Sequence, residues 1–163
     1  MTSPQATRGR AVLVAAGAAL AVAALGATVT DIGPWYRALD KPDWQPPDAA
    51  FGIVWTILYA MAAASAVIAW RAASQPSTRE WIIGLFALNG FLNVLWSLLF
   101  FRLRRPDWAL LEVGALWASI AMLMVFLWRT SRLSSLLLAP YLAWVTIAAA
   151  LNAAVVALNA PFA

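Results

Sequence analysis

Five runs of about twenty apolar residues, four of them without a single formal charge, take up most of this 163-residue chain. An α-helix rises about 1.5 Å per residue and the hydrocarbon core of a bilayer is about 30 Å thick, so each run is long enough to cross a membrane. The predicted helices are 11–30, 51–70, 81–101, 108–128 and 136–158. They define an all-α membrane protein, a five-transmembrane-helix bundle, with 1–163 as a single domain. Only 11% of the residues are charged, against about a quarter in soluble domains. No room is left for a separate soluble catalytic or DNA-binding unit, so the function belongs in or at the bilayer.

The flanks of the runs support this reading. Arg8 and Arg10 precede the first, Arg71 and Ser74-Gln75-Pro76-Ser77 close the second, and Arg102-Leu103-Arg104-Arg105-Pro106 closes the third. Arg129 and Arg132 close the fourth, and Pro140 falls in the first turns of the fifth, where its missing donor costs least. Ala24-Leu25-Gly26-Ala27 resembles a signal-cleavage site. The run containing it, however, exceeds the roughly 7 to 15 apolar residues of a signal peptide, and a spanning helix is expected. Trp70, Trp81, Trp108 and Trp128 sit at helix ends, where indole favours the headgroup region. Glu112 lies about a turn inside the fourth run, where it is expected to snorkel outward or to complement the helix N-terminus.

The net charge of +4 is spread over every loop rather than gathered in one stripe, which argues against nucleic acid as a partner. It also leaves orientation open: six basic residues (Arg8, Arg10, Arg71, Arg79, Arg129, Arg132) face five (Arg37, Lys41, Arg102, Arg104, Arg105). The chain has no Cys and no His, which excludes disulfides, thiolate nucleophiles, imidazole bases and the commonest soft-metal and haem ligands. No metal site is expected. No carboxylate or basic group lies near the middle of a span, so the proton or ion relay of a coupled pump has no members.

Between the first two runs, residues 31–50 hold Pro34, Pro42, Pro46 and Pro47. Proline fixes its own φ and restricts the residue before it, so Lys41-Pro42-Asp43-Trp44-Gln45-Pro46-Pro47 reads as a stiff, extended loop able to act as a lid. Polar and aromatic residues inside spans point to the bundle interior by default. Asn89, Asn93, Trp96 and Ser97 fall at i, i+4, i+7 and i+8, on one face of the third helix. Tyr141, Trp144, Ala148 and Asn152 make a second stripe on the fifth, and Trp55 and Tyr59 a third on the second. Such faces suit a flat, aromatic ligand with a few polar edges. They equally suit helix packing, in which Asn side chains pair across helices. The fourth helix carries no such stripe and is expected mainly to complete the bundle. Gly84, Ala87 and Gly90 are small enough to allow a close approach of a second copy.

Trp35-Tyr36, Lys41-Pro42-Asp43-Trp44-Gln45-Pro46-Pro47 and Phe51-Gly52-Ile53-Val54-Trp55-Thr56-Ile57-Leu58-Tyr59 together resemble the TspO/translocator protein family, also called tryptophan-rich sensory protein or peripheral benzodiazepine receptor. Leu88-Asn89 through Asn93, Trp96, Phe100 and Phe101 are similar to its third helix, and Pro140-Tyr141-Leu142-Ala143-Trp144 through Leu151-Asn152 to its fifth. The resemblance covers residues 11–159. It implies a bacterial cell membrane, a homodimer, and porphyrins such as protoporphyrin IX, or synthetic benzodiazepine-site ligands, bound between helices under the first loop. By matching position, Trp35, Tyr36 and Trp44 would belong to the lid, and Trp55, Tyr59, Asn93, Trp96, Trp144 and Ala148 to the cavity. Asn93 would bond a polar edge of the ligand, and Arg37 and Lys41 would face its propionates. A free-base porphyrin needs no axial ligand and no further cofactor. Trp55 and Trp144 match two tryptophans held to support light- and oxygen-dependent porphyrin breakdown, so sensing, degradation and passive carriage all remain open. After Leu151-Asn152 the chain reads Ala153-Ala154-Val155-Val156, without the Tyr and Arg of the animal cholesterol motif, which disfavours sterol as a ligand.

Overall fold

The computed structural model describes the backbone of residues 4–162 and side chains from Gly9 onward; the side chain of Arg8 lies outside them. Seven helices follow one another: α1 (Pro4–Val29), α2 (Pro34–Ala38), α3 (Asp48–Ala72), α4 (Pro76–Ser97, continued by a π-helical turn Leu98–Arg102), α5 (Pro106–Trp128), α6 (Arg132–Leu137) and α7 (Ala139–Asn159). Five segments are long and apolar enough to cross a membrane, the last being α6 and α7 together.

Proline sets where the helices begin. Pro34, Pro76, Pro106 and Pro140 each stand in the first two positions of a helix, where an N–H would have found no intrahelical partner. Pro76 and Pro106, which the sequence reading placed in the breaks between helices, therefore open α4 and α5. The predicted single helix 136–158 is broken instead. Pro140 has no N–H to give the Leu136 carbonyl, so α6 stops at Leu137 and α7 restarts after Leu138 (φ −89, ψ −9). The loop predicted at 31–50 contains the helical turn α2, and α3 already begins at Asp48.

Around the bundle α3 packs on α1, α1 on α4, α4 on α5 and α5 on α7, whereas the α3 and α7 backbones come close at few points and meet through aromatic side chains. The short α6 lies between α3 and α5. Ser65 Oγ donates to the Ser134 carbonyl at 2.8 Å and Ser135 Oγ to the Met124 carbonyl at 2.8 Å, which ties α6 to both α3 and α5. The centre of the bundle is α5, the helix expected mainly to complete it. Val113, Leu116, Ile120, Leu123 and Leu127 form one stripe, none more than 4% exposed. Their plain aliphatic character gave no inward marker. The outer surfaces keep large apolar groups exposed, such as Leu13 at 73% and Leu111 at 80%, as a lipid-facing surface requires.

Gly90 has a use inside the chain: a Cβ there would stand 3.0 Å from Val22 Cγ2, so its absence lets α1 lie close to α4, whereas Gly84 faces open space. The belt tryptophans have cationic neighbours, with Arg79 over Trp70 at 5.4 Å, Arg105 over Trp108 at 4.3 Å and Arg132 over Trp128 at 5.5 Å.

Asn152 ties α4, α5 and α7 together, accepting from Trp96 Nε1 at 3.1 Å and donating to the Pro106 carbonyl at 2.9 Å. Asn152→Ala leaves the indole N–H without an acceptor and should destabilise the bundle by about 1–2 kcal/mol. The midpoint of denaturant-induced unfolding in detergent reads this, and an unchanged midpoint would contradict it.

Candidate functional site

The polar stripes meet in one relay of hydrogen bonds. Tyr59 Oη donates to Asn93 Oδ1 at 2.6 Å, Asn93 Nδ2 to Tyr141 Oη at 3.1 Å, Tyr141 Oη to Asn89 Oδ1 at 3.2 Å, and Asn89 Nδ2 to Ser119 Oγ at 2.9 Å. Ser119 Oγ closes the relay on the Leu116 carbonyl at 2.7 Å. The relay crosses α3, α4, α7 and α5, and both Asn side chains are buried. Both polar atoms of Asn93 are engaged by protein, and Trp96 Nε1 is held by Asn152. The two readings of the stripes thus divide: the asparagines join helices, and the aromatic groups beside them build walls.

Those walls surround a cleft where α3 and α7 part, of about 320 Å³, lined by Val54, Ile57, Leu58 and Met61 from one helix and Pro140, Ala143, Trp144 and Ile147 from the other. Its outer rim is open, Ile57 being 54% and Ile147 44% exposed, so it faces lipid. Next to it Trp55 stacks on Tyr59 at 5.4 Å and meets Tyr141 edge-on at 5.9 Å, while Phe51 meets Trp144 edge-on at 5.6 Å. Trp144 Nε1 is buried and has no hydrogen-bond partner. Ala148 is half-buried on α7, one turn from both Trp144 and Asn152.

The loop residues lie apart from this cleft. Trp35 packs edge-on against Phe100 at 6.2 Å with Arg104 over it at 5.8 Å, and Tyr36 against Phe101 at 5.5 Å. Trp96 stacks on Phe100 at 5.1 Å, so it backs the loop anchor. Trp44 is 53% exposed and lines a separate cavity of about 500 Å³ with Lys41, Pro42, Asp43, Ala154, Ala157 and Leu158. Arg37 is exposed. Lys41 Nζ donates to the Tyr36 carbonyl at 2.6 Å and the Leu39 carbonyl at 3.0 Å and lies over the Tyr36 ring at 4.5 Å. It closes the C-terminal end of α2, with one N–H left over.

One residue departs from the sequence reading and another escapes it. Both carboxylate oxygens of Glu112 are buried without a partner, so this side chain does not snorkel to water. Asn159 pairs with the Asp40 backbone, accepting its N–H at 2.8 Å and donating to its carbonyl at 2.8 Å. The signal was present: Asn159 is seven residues after Asn152 and continues the same stripe of α7. The apolar lining of the cleft carried no such signal.

An aromatic-walled cleft in a five-helix bundle, crossed at one end by a proline-stiffened loop, defines an integral, multi-pass membrane protein. The model of the TspO/MBR family matches residues 11–158, and the chain belongs to that family. The tryptophan-rich protein TspO of Archaeoglobus fulgidus is 37% identical over 146 residues, covering 86% of this chain and 94% of the relative. Protein CrtK of Rhodobacter capsulatus is 35% identical over 142 residues, 86% of this chain and 89% of its own. The translocator protein of Sus scrofa is 34% identical over 119 residues, 72% of this chain and 70% of its own. The relative from the bacterium Rhodobacter capsulatus accords with a bacterial cell membrane as its setting.

Tyr36 provides a pH handle on the loop. Its hydroxyl donates to Asp48 Oδ1 at 3.3 Å and accepts from Gln45 Nε2 at 3.4 Å. Burial, with the Asp48 charge adding to it, pushes its pKa up to about 12. The neutral phenol is thus the form the fold favours. Its contribution is fully present below the ordinary tyrosine value of about 10 and is lost as pH rises through about 12. The difference in phenolate absorbance between wild type and Tyr36→Phe should show one group titrating near pH 12; titration near the ordinary value would refute the burial argument.

Proposed function

We propose that this chain is a membrane tetrapyrrole-binding, sensory protein that takes a ring such as protoporphyrin IX into the cleft between α3 and α7. The observation that carries this reading is the buried, acceptor-free Trp144 N–H on an otherwise apolar wall. A buried donor without a partner carries a desolvation cost of about 1–3 kcal/mol that a ligand acceptor removes. A flat macrocycle offers such an acceptor at its edge and a π face to Trp55 and Trp144. The cleft volume of about 320 Å³ lies at the lower end of the range for ligand sites, and the lipid-facing rim lets a larger ring protrude. With no His or Cys in the chain, recognition rests on stacking and edge contacts rather than on an axial metal bond.

Titrating protoporphyrin IX into the purified protein and following its absorption band tests this. Saturable binding is expected in wild type. Trp144→Phe, which keeps a ring and removes the N–H, should weaken it by about 3- to 10-fold, and Ala143→Trp, which fills the cleft, should abolish it. Unchanged binding in both variants sinks the reading.

A second reading is favoured by one observation: Trp55 and Trp144 stand beside the cleft, and Trp55 lies within 5.9 Å of two tyrosines that end in the relay. Such rings can pass an electron, so a bound porphyrin could be photo-oxidised in the presence of oxygen. Under illumination the wild type should then bleach porphyrin faster than the Trp55→Phe, Trp144→Phe double variant; equal rates leave binding as the whole activity.

A further inference from the structure

We infer that the cavity of about 500 Å³ between Lys41–Trp44 and the end of α7 is a binding site for one phospholipid whose zwitterionic headgroup ends in a primary amine, with the phosphate on Lys41 and the ammonium on Asp43. This site is separate from the α3–α7 cleft and does not depend on what that cleft holds. Its loop wall is four consecutive residues: a cation, a proline, an acid and an indole. Pro42, between the two charges, fixes its own φ, and the Gln45 N–H closes the turn on the Pro42 carbonyl at 3.0 Å. Lys41 and Asp43 therefore line one cavity from a stiff segment, yet they do not pair with each other; among the described residues the ion pair is Arg105–Asp107.

Each charge is left with capacity for an outside partner. Lys41 gives two of its three N–H groups to the Tyr36 and Leu39 carbonyls and keeps one. Those bonds and the Tyr36 ring hold the ammonium in position before anything binds. Asp43 is exposed and enters no ion pair among the described residues. Ala157 and Leu158, in the last turn of α7, line the same cavity. That turn carries no basic residue, so the carbonyl end of the helix adds partial negative charge on the Asp43 side. A purely anionic headgroup satisfies Lys41 but is repelled by Asp43 and the helix end. A choline headgroup has no N–H for Asp43 to accept. A phosphate and a primary ammonium joined by two carbons present the two opposite charges in one molecule, as a cation and an acid two residues apart require.

The position and the helix wall fit a lipid rather than a soluble molecule. Trp44 is 53% exposed at the end of the bundle, where indole favours the headgroup region. Opposite the loop, Ala150, Ala154 and Ala157 stand at i, i+4 and i+7, a strip of small residues on one face of α7. Ala150 and Ala157 are exposed. An acyl chain hanging from the headgroup can lie close against such a strip, as small residues allow between helices.

Native mass spectrometry of the full chain, purified in detergent and titrated with lipids of identical dioleoyl chains, tests the assignment. Wild type should hold phosphatidylethanolamine about 3- to 10-fold more tightly than phosphatidylglycerol or phosphatidylcholine. Asp43→Asn should remove that preference, and Asp43→Lys should turn it toward phosphatidylglycerol. Ala157→Trp, which fills the cavity, should weaken all three, with helical circular dichroism confirming that each variant is folded. Phosphatidylcholine bound as tightly as phosphatidylethanolamine overturns the headgroup assignment. A preference that survives both Asp43 substitutions, or binding unchanged in Ala157→Trp, places the lipid elsewhere and overturns the site. Displacement of the lipid by an equal concentration of water-soluble phosphoethanolamine shows that the chain contributes nothing and overturns the phospholipid as occupant.

Discussion

The relay from Tyr59 through Asn93, Tyr141 and Asn89 to Ser119 is the interaction on which the rest of the bundle depends. Lipid tails are as apolar as leucine, so helices in a bilayer gain little from the hydrophobic effect and rely on packing and internal hydrogen bonds. Here every member after Tyr59 both receives and gives, and a chain of this kind polarises its members in a medium of low dielectric. The relay fixes the rotation of α3, α4, α5 and α7 about their own axes at one level. Asn152 does so again for α4, α5 and α7 at the start of α5. With rotation fixed, the aromatic residues neighbouring the relay have only one place to go.

The cleft follows from where the relay stops. It holds α7 to α4 and reaches α3 through the Tyr59 hydroxyl, but α3 and α7 otherwise meet through aromatic side chains rather than by close backbone approach. The wedge of α6, made possible by the break before Pro140, holds α3 and α5 together at one end and leaves the gap beyond. Trp144 lines that gap, and its N–H is buried without an acceptor. Glu112, whose two carboxylate oxygens are buried without a partner, is a second such unpaired polar group within the same bundle.

Spans, belt tryptophans and inward stripes were legible because lipid imposes simple rules: length, absence of charge, and polar groups turned inward. Asn89, Asn93, Tyr141 and Asn152 could thus be grouped by period alone. Their partners could not, since a period says which face a residue occupies and nothing about which helix lies opposite. That is why Asn93, expected to meet a ligand, is engaged by two tyrosines. The importance of α5 was hidden for the opposite reason, as a stripe of Val, Leu and Ile looks the same toward lipid as toward a neighbour. Pro76 and Pro106 were ambiguous because one residue type both ends and begins helices. The loop was legible as stiff, but its attachment through Asn159 joins residues 119 apart in sequence, beyond the reach of any local pattern.

The open outer rim of the cleft changes what an affinity means for this protein. A hydrophobic molecule reaching Ile57 and Ile147 comes from the hydrocarbon phase, so the concentration that sets occupancy is moles of ligand per mole of lipid rather than per litre of water. Diluting the bilayer with more lipid, or the detergent with more micelles, lowers occupancy at constant total ligand without touching a single contact. On the proposed tetrapyrrole reading, occupancy of the cleft would therefore follow the ligand's concentration in the membrane rather than in water.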